Sequence, residues 1–440
     1  MRTSGLRRRK FLGAALATPF LPHHSQSRSP NETIQHASFG AGGMAATDWA
    51  RLTSHPKLRL IAVADVDLAR TDKVKSTFPE VRVYQDWREL LAMEDSIDSC
   101  NVSTPDHMHA PIARAALERG ISVYGQKPLS HNIAESRDLA ALAKSSGRTT
   151  QMGTQLASYT TDLSTIAWIQ GGIIGPVKEV FSWSQKKWGD PLPLSPRTDP
   201  IPRTLDWDGW NGVTPSPVPY QKGAYHPANW RKRLAFGTGT LGDMGCHLFH
   251  SWYRALDLIA PKSVLSLGPS PAHGNWPIHQ KIHYQFSGTR FTSDSTLKVT
   301  WLDGDQRLPP EYLHILGETF PTDGTLYFGE EGLLLQPLGG WIRLFRKGSF
   351  VDQATHRFRD VPGKLLQHWH EFVDAVIDDT PTKLTSPFSY AAQLTELVLL
   401  GTIASRYPGQ RLSWDYEAMT FDHELANEFL TSKYRAGWTP

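Results

Sequence analysis

The sequence predicts an α/β protein, with an N-terminal doubly wound parallel sheet and a C-terminal α/β part built on a large, mainly antiparallel open sheet. Three observations carry this. Residues 33 to 155 alternate short apolar runs with amphipathic segments, the pattern of parallel strands joined by crossover helices. The first run, Thr33 to Phe39, leads through a glycine-rich turn into the helical segment Met44 to Leu52. From Ile278 to about Phe350 the apolar period becomes two, in Lys281 to Phe286, Thr296 to Trp301, Gly324 to Phe328 and Trp341 to Phe345, which predicts antiparallel strands with one covered face.

The turn reads Gly40-Ala41-Gly42-Gly43-Met44-Ala45, the G-x-G-x-x-A form of the dinucleotide fingerprint. A first glycine makes the tight strand-to-helix turn, a second lets backbone amides approach a pyrophosphate, and a third small residue lets helix pack on strand. Asp65 follows twenty residues after Ala45, at the end of the apolar run Arg59 to Ala64, where a carboxylate can accept from an adenosine ribose. This segment is therefore predicted to be a Rossmann domain, with Gly40, Ala41, Gly42, Gly43, Met44 and Asp65 holding the nucleotide. Asp65 favours NAD over NADP because it repels a 2′-phosphate, and Arg70 stands too far along the chain to reverse that preference. The run Thr33 to Phe39 is a poor strand on paper, with Gln35, His36 and Ser38 at positions that are usually apolar.

Further strands are expected at Ile97 to Val102, Ile121 to Tyr124 and Thr149 to Met152, with helices at Asp86 to Met93 and at Ala110 to Arg119, the latter stopped by Gly120. Two turns follow strand ends: Ser103-Thr104-Pro105-Asp106-His107-Met108-His109 and Gly125-Gln126-Lys127-Pro128-Leu129. Ligands of open parallel sheets bind beyond the carboxyl ends of the strands, so Ser103, Thr104, Pro105, His109, Gln126 and Lys127 are expected to flank a nicotinamide.

A helix over Thr160 to Gln170 and a strand over Val177 to Ser184 come next. Nine prolines then fall between Pro191 and Pro227, interleaved with Trp188, Trp207, Trp210 and Trp230. Such a loop is either an arm that offers tryptophans to sugar rings or a packed loop with its tryptophans buried. Gly237 to His250 opens an amphipathic stretch in which Asp243 and His247, four apart, share one helix face. Two helices close the pattern, Leu365 to Ile377 and Ala391 to Arg406. The organisation expected is 1–30 as a leader and linker, 31–155 as the nucleotide domain, and 156–440 as a substrate-binding and oligomerisation domain whose terminal helices pack back on the first.

Composition is that of an ordinary globular chain, with 40% hydrophobic and 20% charged residues. The net charge of +3, from 46 basic and 43 acidic residues, argues against a nucleic-acid partner. Cys100 and Cys246 are too few for a disulfide framework and are expected as small core residues. The pairs His107/His109 and His368/His370 lack further partners at ligand spacing, so no metal site is expected. Arg7-Arg8-Arg9-Lys10-Phe11-Leu12 resembles a twin-arginine export motif, and the apolar run after it, Gly13 to Leu21, is too short to span a membrane. Export to the periplasm or beyond is expected, without stable membrane insertion. No pool of free nicotinamide nucleotide exists there, so a cofactor should be tightly bound.

The fingerprint, the Ser-Thr-Pro-Asp-His-Met-His turn, Gln126-Lys127-Pro128-Leu129 and Gly242-Asp243-Met244-Gly245-Cys246-His247 together resemble the Gfo/Idh/MocA oxidoreductases, relatives of glucose–fructose oxidoreductase and inositol dehydrogenase. Trp301-Leu302-Asp303-Gly304, Gly324-Thr325-Leu326-Tyr327-Phe328-Gly329 and Tyr434-Arg435-Ala436-Gly437-Trp438 are similar to its exported branch. The resemblance implies a homo-oligomer and a catalytic group of Lys127, Asp243 and His247. Chemistry asks for the same parts: a cation for the developing alkoxide and a base for the hydroxyl proton, with Asp243 to hold the imidazole tautomer or stabilise its charge. One departure is Gln126, where the family usually has Glu. The functions compatible with this pattern are a sugar or glycoside oxidoreductase with tightly held NAD(H), an NAD-dependent glycosidase working by oxidation, elimination, water addition and reduction, and a non-catalytic carbohydrate-binding protein.

Overall fold

The structure, a computed structural model, describes residues 33–316, 320–351, 359–380 and 383–438. The twin-arginine segment at residues 1–30 lies outside the described residues. Strands β1 (Ile34–Phe39), β2 (Leu58–Ala64), β3 (Arg82–Tyr84), β4 (Ser99–Val102), β5 (Ser122–Gly125) and β6 (Thr150–Met152) form a six-stranded sheet. Its order is β3-β2-β1-β4-β5-β6, and every pair is parallel. The order reverses between β1 and β4, where doubly wound sheets open a crevice.

Strand β1 is better built than its sequence suggests. His36 is wholly buried, with Nδ1 2.8 Å from Ser99 Oγ and Nε2 3.0 Å from Asn101 Oδ1, both on the neighbouring β4. Burial pushes the imidazole down to about 4, so the ring stays neutral. Ser38 Oγ donates to the carbonyl of Gly40 at 2.7 Å and so ties the strand end to the turn.

The second sheet has ten strands: β7 (Val177–Ser184), β8 (Pro261–Ser266), β9 (Lys281–Ser287), β10 (Thr296–Asp303), β11 (Asp323–Gly329), β12 (Leu333–Pro337), β13 (Arg343–Arg346), β14 (Ser349–Phe350), β15 (Arg411–Asp415) and β16 (Thr420–Phe421). The order is β14-β13-β12-β11-β7-β10-β9-β8-β15-β16, antiparallel throughout except for β7 beside β10. Ile282, Tyr284 and Phe286 of β9 point into the core while Lys281, His283 and Gln285 alternate outward, the period expected for one covered face. Near β7, β11 and β12 the expectation fails. Phe181, Trp183, Leu326 and Leu335 form a second apolar cluster with Leu308, so this end of the sheet is covered on both sides.

The helix Ile133–Ser146 adds an element beyond those expected, although its signals are present. The side chain of Asn132 accepts from the Glu135 amide, and Gly147 ends the helix at φ 65°. The helices Gln367–Ile377 and Phe388–Ala404 reach the first sheet's side of the molecule. Trp369 Nε1 donates to Asp48 Oδ1 at 2.9 Å, and the Leu129 amide donates to Thr395 Oγ1 at 3.0 Å.

The proline-rich loop is a packed arm. Trp207, Trp210 and Trp230 are at most 7% exposed, and the first two stack with ring centroids 4.5 Å apart. Of the two readings of the loop, burial holds for these three, while Trp188 is only half-buried. The arm docks on the rim of the first sheet: the Asp206 amide donates to the Val66 carbonyl at 2.8 Å and the Leu68 amide to the Thr204 carbonyl at 2.9 Å. His226 Nε2 lies 3.0 Å from Asp67 Oδ2. Among the described residues, no helix is long and apolar enough to cross a membrane.

Candidate functional site

A cavity of about 510 Å³ opens beyond the carboxyl ends of β1, β4 and β5, with the arm and the helix Gly239–Ala255 as its far wall. It is lined by Gly40, Gly42, Gly43, Met44, Asp65, Ser103, Thr104, Pro105, His109, Gln126, Lys127, Asp243 and His247. Ala41 is the one candidate residue behind the lining: it is buried, and its amide donates to Asp65 Oδ2 at 2.8 Å.

The glycine turn fits a pyrophosphate. Gly40 sits at φ +105°, and a side chain there would meet the Ser103 carbonyl oxygen at 2.9 Å, so the bare backbone borders the cavity. A Cβ on Gly42 would lie 2.2 Å from Arg70 Nε. Arg70 therefore lies directly against the turn, which corrects the expectation that it stands out of reach. Its guanidinium adds a positive charge where phosphate would lie and beside Asp65. Asp65 accepts from the Asp67 amide at 2.9 Å as well as from Ala41, and two carboxylate oxygens with one bond each can still accept from a ribose hydroxyl. Burial raises the Asp65 carboxyl above its ordinary value.

His109, expected as a nucleotide ligand, also joins the two turns. Its Nδ1 lies 2.7 Å from the Pro128 carbonyl oxygen and its Nε2 2.8 Å from that of Thr104. Gln126 turns away from the charged end: Nε2 donates to both oxygens of Asp48, at 3.1 and 2.8 Å. Asp48 also accepts from Ser103 Oγ at 2.7 Å and from Trp369, and burial pushes it up to about 6. Sequence reasoning missed Asp48. The signal is an acidic residue on the buried face of the helix Met44–Leu52, beside Ala45, Trp49 and Leu52.

At the other end, Lys127 Nζ donates to the Asp243 carbonyl at 2.6 Å and to its Oδ1 at 3.0 Å. Asp243 is 9% exposed and takes three further donors: Arg231 Nε at 3.2 Å, Lys186 Nζ at 3.2 Å and Trp188 Nε1 at 2.9 Å. Burial works against its charge, but Lys127, Arg231 and Lys186 together hold the carboxyl far below the usual range. None of these three additional donors was foreseen, because the arm and β7 bring them in from distant positions with no local motif.

The expected Asp243–His247 pairing is absent. Asp243 is spent on cations and Trp188, and His247 Nδ1 is buried without a partner among the described residues. Burial, then Lys127, pushes His247 down to about 3, so a neutral ring faces the cavity across the physiological range. Elsewhere, Cys100 and Cys246 are buried thiols. His107 and His368 spend ring nitrogens on the carbonyls of Trp210 and Met152, at 3.1 and 2.9 Å.

Residues 34–154 match the family model described as "Oxidoreductase family, NAD-binding Rossmann fold", that of Gfo/Idh/MocA. Over 118 residues, 27% of this chain, the sequence is 33% identical to the uncharacterized oxidoreductase YdgJ of Escherichia coli K12. That match spans about a third of the relative's length (33%). Two solved structures share the fold over most of the chain. An inositol dehydrogenase homolog of Azotobacter vinelandii, complexed with NADH and myo-inositol, is 17% identical with TM-score 0.58, covering 87% of this chain and 98% of its own. An aldose-aldose oxidoreductase of Caulobacter crescentus, complexed with glycerol, is 15% identical with TM-score 0.59, covering 87% and 100%. The glycine turn, the parallel strand order and the family match agree: residues 34–154 are similar to the NAD-binding Rossmann domain of the Gfo/Idh/MocA oxidoreductase family.

Proposed function

We propose that the protein is an exported oxidoreductase that moves hydride between a hydroxyl-bearing carbohydrate carbon and a tightly held NAD(H). The observation that carries the reading is that a dinucleotide turn, an ammonium and a neutral imidazole line one cavity. Gly40, Gly42 and Arg70 would hold the pyrophosphate and Asp65 the ribose. A nicotinamide bound beyond the ends of β4 and β5 would supply the hydride acceptor or donor.

The remaining steps belong to side chains. Lys127, fixed by Asp243, donates to the substrate oxygen and stabilises the negative charge that grows there as hydride leaves the carbon. His247, kept neutral by burial, receives the hydroxyl proton, and in the reverse direction returns it to the carbonyl oxygen. The arm supports tight retention, because Trp210, His226 and Pro227 line the cavity and His226 reaches Asp67 beside the glycine turn's Asp65. Asp65 supports NAD as the nucleotide, and the Arg7 to Leu12 motif supports export.

The test uses protein recovered from the periplasmic fraction and desalted. It is expected to keep nicotinamide absorbance and to show a rise at the reduced-cofactor wavelength when sugars are added; absence of bound nucleotide would refute the reading. Lys127→Met is expected to keep the nucleotide but lower single-turnover reduction by about 10²- to 10³-fold. Full activity in that variant would remove Lys127 from the chemistry.

A further inference from the structure

We infer that the substrate seat beside Lys127 is built for an anionic carbohydrate, one bearing a carboxylate or phosphate, gripped by Arg231 and Lys186; the chemistry that follows binding rests on the oxidoreductase reading above. Moving hydride off a neutral sugar asks for one cation at the reacting oxygen, and Lys127 supplies it. Arg231 and Lys186 are two more, each 3.2 Å from an oxygen of the same Asp243 carboxylate. One negative charge faces three positive ones, and an oxidised nicotinamide, itself cationic, would widen the imbalance.

Among the described residues, no other carboxylate of the lining forms an ion pair with them. Asp65 is at the glycine turn, bonded to the amides of Ala41 and Asp67 with Arg70 nearby, and Asp106 accepts from Thr238 Oγ1 at 2.6 Å. A dinucleotide does not absorb the surplus either, since its phosphates belong at the glycine turn. Buried or half-buried cations without counter-ions are costly, and a substrate anion is what would complete the set.

The geometry of Arg231 points to two oxygens on one group. Its Nε is taken by Asp243, while its two terminal nitrogens have no hydrogen-bond partner among the described residues. The guanidinium is held between two rings, 4.2 Å from the centroid of Trp230 and 5.4 Å from that of Trp188, and Trp188 is itself fixed by its bond to Asp243. A planar fork anchored at one edge and free at the other matches carboxylate or phosphate oxygens bidentately. Lys186, 47% exposed at its side chain, adds a second cation to the lining.

The test titrates purified holoprotein with D-glucuronate, D-glucose 6-phosphate and D-glucose, and with D-galacturonate against D-galactose. It follows both tryptophan fluorescence, from Trp188 and Trp230, and cofactor absorbance. At least one anion is expected to half-saturate the fluorescence change at about tenfold lower concentration than its neutral parent, an advantage that shrinks as NaCl is raised. The uronate and phosphate arms tell the two anions apart. Arg231→Met is expected to cut the anion-to-neutral preference about tenfold. Arg231→Lys, which keeps charge and loses the fork, falls between and serves if the methionine variant does not fold. Neutral sugars binding as well as both anions, or no anion binding at all, overturns the inference. Anion binding without any cofactor reduction would instead refute the oxidoreductase reading and leave the seat standing.

Discussion

Two buried carboxylates flank the cleft, Asp243 in its lining at 9% exposure in the helix Gly239–Ala255 and Asp48 behind Gln126 at 0% in the helix after the glycine turn. Burial is nearly the same at both. Asp48 meets only neutral donors, from Ser103, Trp369 and Gln126, and is pushed up to about 6. Asp243 meets Lys127, Arg231 and Lys186 and is held far below the ordinary range. The partners' charge, rather than their number, decides the sign of the shift. One carboxylate serves the nucleotide domain as a hydrogen-bond hub, and the other keeps a cluster of cations together.

The contrast can be broken most forcefully at Asp243. Asp243→Asn leaves three cations without their counter-charge and is expected to cost about 3 kcal/mol of stability, the low end for a broken buried pair because Lys186 is half exposed. Urea denaturation measures it, and a loss under about 1 kcal/mol would mean that the cluster is held by something else.

Asp48 gives the next largest effect, with the opposite dependence on acid. Its native value of about 6 exceeds the ordinary 3.8, so the folded state takes up a proton that the unfolded chain has not yet bound. Stability is therefore expected to rise as pH falls from above 6 toward 4, by up to about 3 kcal/mol. Asp48→Asn should erase that rise, and subtracting the two stability–pH curves isolates it. A flat difference would show that Asp48 does not titrate in this window.

Gln126→Glu tests the same wall more gently. A second carboxylate at 2.8 Å from Asp48 would have to share a proton with it, moving the stability rise about one unit to higher pH, roughly 1.4 kcal/mol at pH 7. An unmoved profile would mean that the introduced carboxylate turns out of the wall.

How much of this was legible in sequence follows the range of each signal. The turn from Gly40 to Ala45, Asp65, and the strands before Ser103 and Gln126 obey local rules of spacing and period, and the structure places them along one crevice. Strands β3, β12 and β15, of three to five residues, are too short to show a period. The helix Ile133–Ser146 carried a readable cap and stop. Arg231 and Lys186 could not be found, because an arm folded by its own tryptophan cluster carries one of them to Asp243 and the end of β7 carries the other. The same arm made His247 hard to assign, since spacing put it beside Asp243 and only the surrounding cations show where that carboxylate points instead.

The arm also bears on how a nucleotide could leave. Its bonds to Val66, Leu68 and Asp67 lie on the rim of the first sheet, with Val66 and His226 lining the cavity itself. A nucleotide leaving by that side would need those bonds to open, and its off-rate would then follow a local unfolding equilibrium of the arm. Mild denaturant would then release the nucleotide well before either sheet melts, with holoprotein and empty protein interconverting on the timescale of that opening.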